Sequence, residues 1–115
     1  ALQNNISVGA EALTLNGTLR NISGSNSYAG TITGSGGVTV SSGSLTLAGT
    51  AANSLTGANN VDNGTLSLAK TAGVNAIVGN LNIGDGNGAT SSAVVQLINA
   101  NQIADTSNVS LMADG

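Results

Sequence analysis

The sequence predicts an all-β protein wound as a right-handed parallel β-helix, a β-solenoid, over residues 1–115. Three observations predict it. A short triplet, aliphatic–polar–aliphatic, recurs along the whole chain bracketed by glycine or small polar residues. Two of its clearest copies, around Leu45 and Leu66, stand 21 residues apart (66 − 45), the length of one turn of a three-sided coil. Proline is absent, so every residue can donate to a backbone ladder.

The triplet is best seen in Gly43-Ser44-Leu45-Thr46-Leu47-Ala48-Gly49. Near-copies are Leu13-Thr14-Leu15, Leu66-Ser67-Leu68, Leu81-Asn82-Ile83 and Val109-Ser110-Leu111, with Val38-Thr39-Val40 as a variant. Alternation with period 2 is the pattern of a strand that buries one face. Its repetition marks one small unit used many times. A parallel coil winds right-handed because a right-twisted strand reconnects to its neighbour that way.

In chain order, Ile6-Ser7-Val8 and Leu13-Thr14-Leu15 are expected strands, followed by Leu19–Ile22 and a polar loop at Ser23–Ser27. Tyr28–Thr33, Val38–Val40 and Leu45–Leu47 come next, then a loose small-residue stretch over Thr50–Asn60. Leu66–Leu68, Ala76–Val78 and Leu81–Ile83 lead to Asp85–Ser92, the segment richest in Gly, Asn and Ser. Val94–Ile98 is the longest aliphatic run, which suggests burial on both faces or a helical turn. Leu97–Asp105 alone has helical character, weakened by Asn99 and Asn101. Leu66 to Leu81 and Val94 to Val109 are both 15 apart (81 − 66 and 109 − 94), a shortening that corner loops of variable length would give. An alternative pairs Val38–Val40 with Leu45–Leu47 as an antiparallel hairpin and builds a β-sandwich. Such sandwiches usually have aromatic-rich cores and charged outer faces, and this chain has neither.

Composition explains why stacking is needed. Tyr28 is the only aromatic residue, so the large apolar areas that dominate most cores are missing. Burying a Val, Leu or Ile contributes roughly 1.5–3 kcal/mol, while ordering each residue costs about 1–2 kcal/mol in backbone entropy. Dense ladders and stacked neighbours must supply the rest. Charged residues are 6% of the chain, with Arg20 and Lys70 against Glu11, Asp62, Asp85, Asp105 and Asp114 and a net charge of −3. No basic patch exists to displace phosphate counterions or to hold an anionic membrane, which excludes nucleic-acid binding and a polybasic anchor. No apolar run approaches the ~18 residues of a membrane-spanning helix. Cysteine is absent, which excludes disulfides and thiolate metal sites; this is compatible with any compartment and also suits a bacterial protein secreted unfolded through a pore. No signal peptide precedes the pattern at Ala1, and the sequence reads as a piece of a longer chain.

Several residues could carry chemistry. Histidine is absent, which rules out Ser-His-Asp and Cys-His arrangements. Acid–base work would fall to the five carboxylates, and Asp62 and Asp85, 23 apart (85 − 62), are near one turn. Clustered carboxylates of that kind would make a carbohydrate-active β-helix; Asx turns are the simpler reading. Gly84-Asp85-Gly86-Asn87-Gly88 is half of a calcium-binding repeat and offers too few oxygens for the usual six to eight. No cofactor, metal or catalytic residue is expected. Arg20 and Lys70 read as solvated side chains, and Tyr28 as core rather than a sugar platform. Thr31-Ile32-Thr33 has the threonine spacing of an ice-binding face, once. Asn5, Asn16, Asn21, Asn63 and Asn108 each head a glycosylation sequon, frequent by chance in so Asn- and Ser-rich a chain.

The chain also resembles the autotransporter-associated β-strand repeat of large bacterial surface and secreted proteins. The likeness rests on Glu11–Gly17, Leu19–Gly24, the asparagine–aromatic–glycine strand Asn26–Ile32, the glycine–leucine–polar–leucine copies at Ser42–Leu47 and Asn63–Leu68, and Asn101–Ser107. The family's C-terminal membrane barrel is not among these residues. The resemblance implies an extracellular or cell-surface β-helical segment, working as stalk, adhesin or fibre rather than enzyme. Its expected partners are other copies stacked head to tail or flanking repeats, and a surface polysaccharide.

Overall fold

A computed structural model describes all of residues 1–115. The alternation read from the triplets becomes strands that are almost all short, each ended by a corner of Gly, Asn or Ser. The first coil is β1 (Ser7–Val8), β2 (Leu13–Thr14) and β3 (Thr18–Asn21). The second is β4 (Ser25–Tyr28), β5 (Ile32–Gly34) and β6 (Gly37–Val40); the third is β7 (Ser44–Gly49), β8 (Ser54–Leu55) and β9 (Asn59–Val61). The fourth holds β10 (Gly64–Lys70) and β11 (Leu81–Ile83), and the fifth β12 (Ala93–Leu97) and β13 (Val109–Leu111). There is no helix.

Each strand pairs in parallel with its counterpart one coil away, so the chain is a β-solenoid of about four turns. Face one is β1-β4-β7-β10-β12, face two β2-β5-β8, and face three β3-β6-β9-β11-β13. Face two continues beyond β8 only as a bridge between Ile77 and Ile103. The antiparallel sandwich is overturned. β6 lies between β3 and β9, β7 lies between β4 and β10, and Val38–Val40 never pairs with Leu45–Leu47.

Leu45 pairs with Leu66 and Leu47 with Leu68, as the 21-residue spacing predicts. Along face one the rungs are 20 (27 − 7), 19 (44 − 25), 21 (65 − 44) and 29 (94 − 65) residues apart, the excess of the last falling in its corner loops. The 15-residue spacings are not turns. Leu66 and Leu81 belong to different faces of one coil, as do Val94 and Val109. The strand break also moves. Ser25–Ser27 is strand rather than loop, and Tyr28–Thr33 is cut at Ala29–Thr31, where the coil turns its corner. Thr50–Asn60 contributes both β8 and the start of β9. Val94–Leu97 lies in one edge strand, β12, with Ile98 just past its end; the run is not a helical turn, and its end is exposed rather than buried on both faces.

The core is a column of aliphatics inside the coil: Ile32, Val38, Val40, Leu45, Leu47, Val61, Leu66, Leu68 and Leu81 are all sealed from solvent. Tyr28 joins them, its hydroxyl donating to the Glu11 carbonyl at 2.8 Å. Burial first, then the Glu11 charge, raises its pKa. Buried asparagines finish the corners that strands leave unpaired. Asn53 accepts from the Ile32 N–H at 2.9 Å and donates to the Ala76 carbonyl at 2.9 Å. Asn26 accepts from the Ile6 N–H and donates to the Asn21 side chain and the Ser23 carbonyl. No buried side-chain polar atom lacks a partner, which a core this polar requires. Gly24 and Gly43 sit just ahead of β4 and β7, and Gly64 opens β10, all three with positive φ. A Cβ on Gly43 or Gly64 would run into the backbone of the glycine one coil above. The corner is open only to glycine.

Candidate functional site

The charged residues are the natural place to look for chemistry, and the coil scatters them. Glu11, Arg20, Asp85 and Asp105 are exposed at different corners or faces, and Arg20 donates to the Ser41 hydroxyl at 2.7 Å. Val61 pairs with Ile83, so Asp62 stands level with Gly84 and not with Asp85. The stacked Asp62–Asp85 pair is not formed. No group of three carboxylate, histidine or cysteine side chains converges, and the surface has no pocket. No helix is long and apolar enough to cross a membrane.

Asp85 meets a different partner, one that no motif or spacing in the chain points to. The Asp114 carboxylate accepts from the Gly86 N–H at 2.8 Å and the Asp85 N–H at 3.2 Å. Asp85 in turn accepts from the Asn87 N–H at 2.8 Å. Burial of Asp114 alone would raise its pKa, but these donors outweigh it and hold the carboxyl below its ordinary value. The Gly84–Gly88 turn is thus pinned by the last residues of the chain. Its carboxylate oxygens are engaged as acceptors for backbone.

Lys70 is the plainest correction. It is 0% exposed, not solvated. It ends β10, and its side chain runs back across two coils, where Nζ donates to the Ala48 carbonyl at 2.8 Å and the Gly30 carbonyl at 3.1 Å. Its own backbone is held by the next coil: Gln102 accepts from the Lys70 N–H and donates to its carbonyl, and Asn99 donates to the same carbonyl. With both Nζ partners neutral, burial lowers its pKa. One residue therefore ties four coils together. The sequence signal for this was only that a lysine follows an alternating strand in phase with Leu66 and Leu68.

The other motifs settle simply. Thr33 aligns with Thr14 and Ser54 in one column, and the threonine pair does not repeat across the coils. Of the sequons, Asn21 is buried and donates to the Ser42 carbonyl.

What the molecule does present is an open end. In β12 and β13 the residues that alternate inward are covered by no other coil of residues 1–115, and Leu97, Val109 and Leu111 are 61%, 52% and 69% exposed. Ile98 and Met112 extend the apolar rim. Each of these strands has a neighbour on one edge only, β10 for β12 and β11 for β13. At the opposite end Ile6 and Ile22 are exposed beside β1 and β3, the terminal strands of faces one and three there.

Comparison with protein-family models, with curated proteins and with solved structures returns no match for this chain.

Proposed function

We propose that this chain is a structural, non-enzymatic β-solenoid of the bacterial cell surface or extracellular space, a stalk, adhesin or fibre unit that stacks head to tail, on other copies or on flanking repeats of the same polypeptide. The observation that carries this reading is the open last coil, with Leu97, Val109 and Leu111 at core positions yet exposed, above unpaired strand edges. Exposed edges and apolar patches invite partners. Two further features support it. The few charges leave little repulsion between copies, and the stacked Asp62–Asp85 pair that a carbohydrate-active coil would use is not formed. The extracellular placement rests on the resemblance to autotransporter-associated repeats, and the absence of cysteine is compatible with it as with any compartment.

A contact between unlike ends does not close on itself and grows into a fibre. Light scattering against concentration and negative-stain microscopy of the purified chain test this. Rods that lengthen with concentration are expected. A compact monomer at high concentration, with slowly exchanging amides in β12 and β13, would overturn the reading.

A further inference from the structure

The same dipeptide stands at the same corner of two successive coils. Asn63-Gly64 closes the short corner between β9 and β10, and Asn87-Gly88 lies in the longer one between β11 and β12. Both asparagines are exposed, so water reaches either side chain. Each corner also has a neighbour on both sides. The first lies between Ser41–Gly43 and Gly84–Ser92, the second between Asp62–Asn63 and Met112–Asp114. What differs is how the glycine is held.

An Asn–Gly step can react with itself. The glycine nitrogen gives up its proton to water and attacks Cγ of the asparagine. A C–N bond forms and Nδ2 leaves as ammonia. Water then opens the cyclic imide at either carbonyl, giving aspartate or, with the chain rerouted through the side chain, isoaspartate. In sum an amide and a water become a carboxylate and an ammonium ion, with no oxidant or reductant. Glycine favours the closure because it has no Cβ in the way. The nitrogen must be free, and the backbone on either side of the asparagine must be able to turn.

At Gly64 neither condition holds. Its N–H donates to the Ser92 carbonyl at 2.7 Å, and the Asn63 N–H donates to the Val40 carbonyl at 3.2 Å. Gly64 pairs with Ala93 in the ladder, and a Cβ on it would strike the Gly43 carbonyl. At Gly88 both hold. Its N–H has no acceptor, and the atom nearest to a Cβ there is the Ser92 hydroxyl, the mobile end of a side chain. Asn87 bonds only within its own turn, its N–H to the Asp85 carboxylate at 2.8 Å and Nδ2 to the Asp85 carbonyl at 3.4 Å.

We propose that Asn87 is a site of spontaneous modification, closing onto the Gly88 nitrogen and opening with water to aspartate and isoaspartate. Asn63, the same step one coil back, is protected by the ladder. The product sets a third carboxylate in a turn that Asp85 and Asp114 already serve, and removes the amide that donates to the Asp85 carbonyl. Like charges this close repel, so the hold of Asp114 on the Asp85 and Gly86 N–H groups weakens.

Arg20 and Lys70 are the only basic residues, so trypsin on the unfolded chain delivers Asn63 and Asn87 on separate peptides. The folded protein is aged at neutral pH, and samples are digested and read by mass spectrometry with fragmentation. The peptide after Lys70 should gain the mass of an amide turned acid, placed at residue 87, with isoaspartate present. The Asn63 peptide should convert at least about tenfold more slowly, the factor that about 1.4 kcal/mol of local opening imposes. Ageing in denaturant should bring the two rates together, because the dipeptides are identical.

Equal conversion in a chain that circular dichroism shows to be folded would overturn the proposal. So would an Asn87 that stays intact in the folded chain while both steps convert in denaturant. Asn87→Asp should speed amide exchange at Gly86 relative to the parent. Unchanged exchange there would refute the weakened hold of Asp114.

Discussion

β10 and β13 have the same alternation, and only one of them is inside the protein. Leu66 and Leu68 of β10 are sealed, between β7 on one side and β12 on the other. Val109 and Leu111 of β13 point the same way, in the columns of Leu81 and Ile83, and are more than half exposed. Nothing in the two triplets differs enough to explain this. The difference is the neighbour. In a solenoid burial belongs to the stack and not to the strand, because each repeat touches only the repeats beside it.

Charge placed in each strand should break that comparison most sharply. Leu66→Asp would bury an unpaired carboxylate at the centre of the column, at a cost of several kcal/mol. Loss of cooperative thermal unfolding is expected by circular dichroism. Leu111→Asp leaves its charge in water, so the melting temperature should stay within a few degrees of the parent while assembly by light scattering is lost. Thr46→Lys, on the outward side of β7 between inward Leu45 and Leu47, should also be tolerated, whereas Leu47→Asp should behave like Leu66→Asp. Equal damage from the Thr46 and Leu47 substitutions would mean that the register is wrong.

The polar columns show the same contrast at smaller scale. Asn53 is buried and satisfies both the Ile32 N–H and the Ala76 carbonyl. Asn53→Ala should cost about 1–3 kcal/mol by leaving those groups unpaired. Asn82 bonds Asn60 on the half-exposed outer side of face three, and Asn82→Ala should stay within about 0.5 kcal/mol in the same denaturant titration.

How much was legible in the sequence follows from the same physics. Alternation reports which residues point inward, so Leu45, Leu47, Leu66 and Leu68 and the 21-residue turn could be read directly. A coil corner carries no such period. Tyr28–Thr33 looks continuous because Ala29, Gly30 and Thr31 do not interrupt strand-like composition, and the chain bends there only because the next coil forces it to. Lys70 misleads for a related reason: its residue type argues for water, its phase in β10 argues for the interior, and the tertiary stack decides. The Asp85–Asp114 contact joins positions 29 residues apart (114 − 85), across a coil lengthened by its corner loops, and the 21-residue turn read from the triplets does not reach it.

Lys70 gives the comparison a pH axis. Its pKa is lowered from 10.5, so between the folded value and 10.5 the unfolded chain binds more protons. Stability should therefore rise with pH through that window, by at most about 1.4 kcal/mol per unit for one proton. Tyr28 opposes this above its ordinary 10.0, because a raised pKa makes the folded form hold its proton longer. Denaturant midpoints measured up to pH 10 should show the rise in the parent and lose it in Lys70→Met. A parent and variant with the same slope would show that the ammonium is solvated in the folded protein.

The smallest effect belongs to the Asp114 latch, because it holds a loop and not the column. Its carboxyl is held below 3.8 by the Gly86 and Asp85 N–H groups. A depressed carboxyl contributes stability that is complete above its ordinary pKa and lost as pH falls through the folded value. Acidification below pH 3.8 should then release Gly84–Gly88 and its neighbours before the coil melts. Amide exchange would read this as lost protection at Asp85 and Gly86 while Leu45, Leu47, Leu66 and Leu68 remain protected. Asp114→Asn should mimic the acid state at neutral pH, with little change in melting temperature. Calcium separates the latch from a metal site, since the same two carboxylates would serve both. Because the Asp114 oxygens already accept from the backbone, added calcium should neither raise the melting temperature nor release heat. A shift that disappears in Asp85→Ala would make the turn a cation site instead.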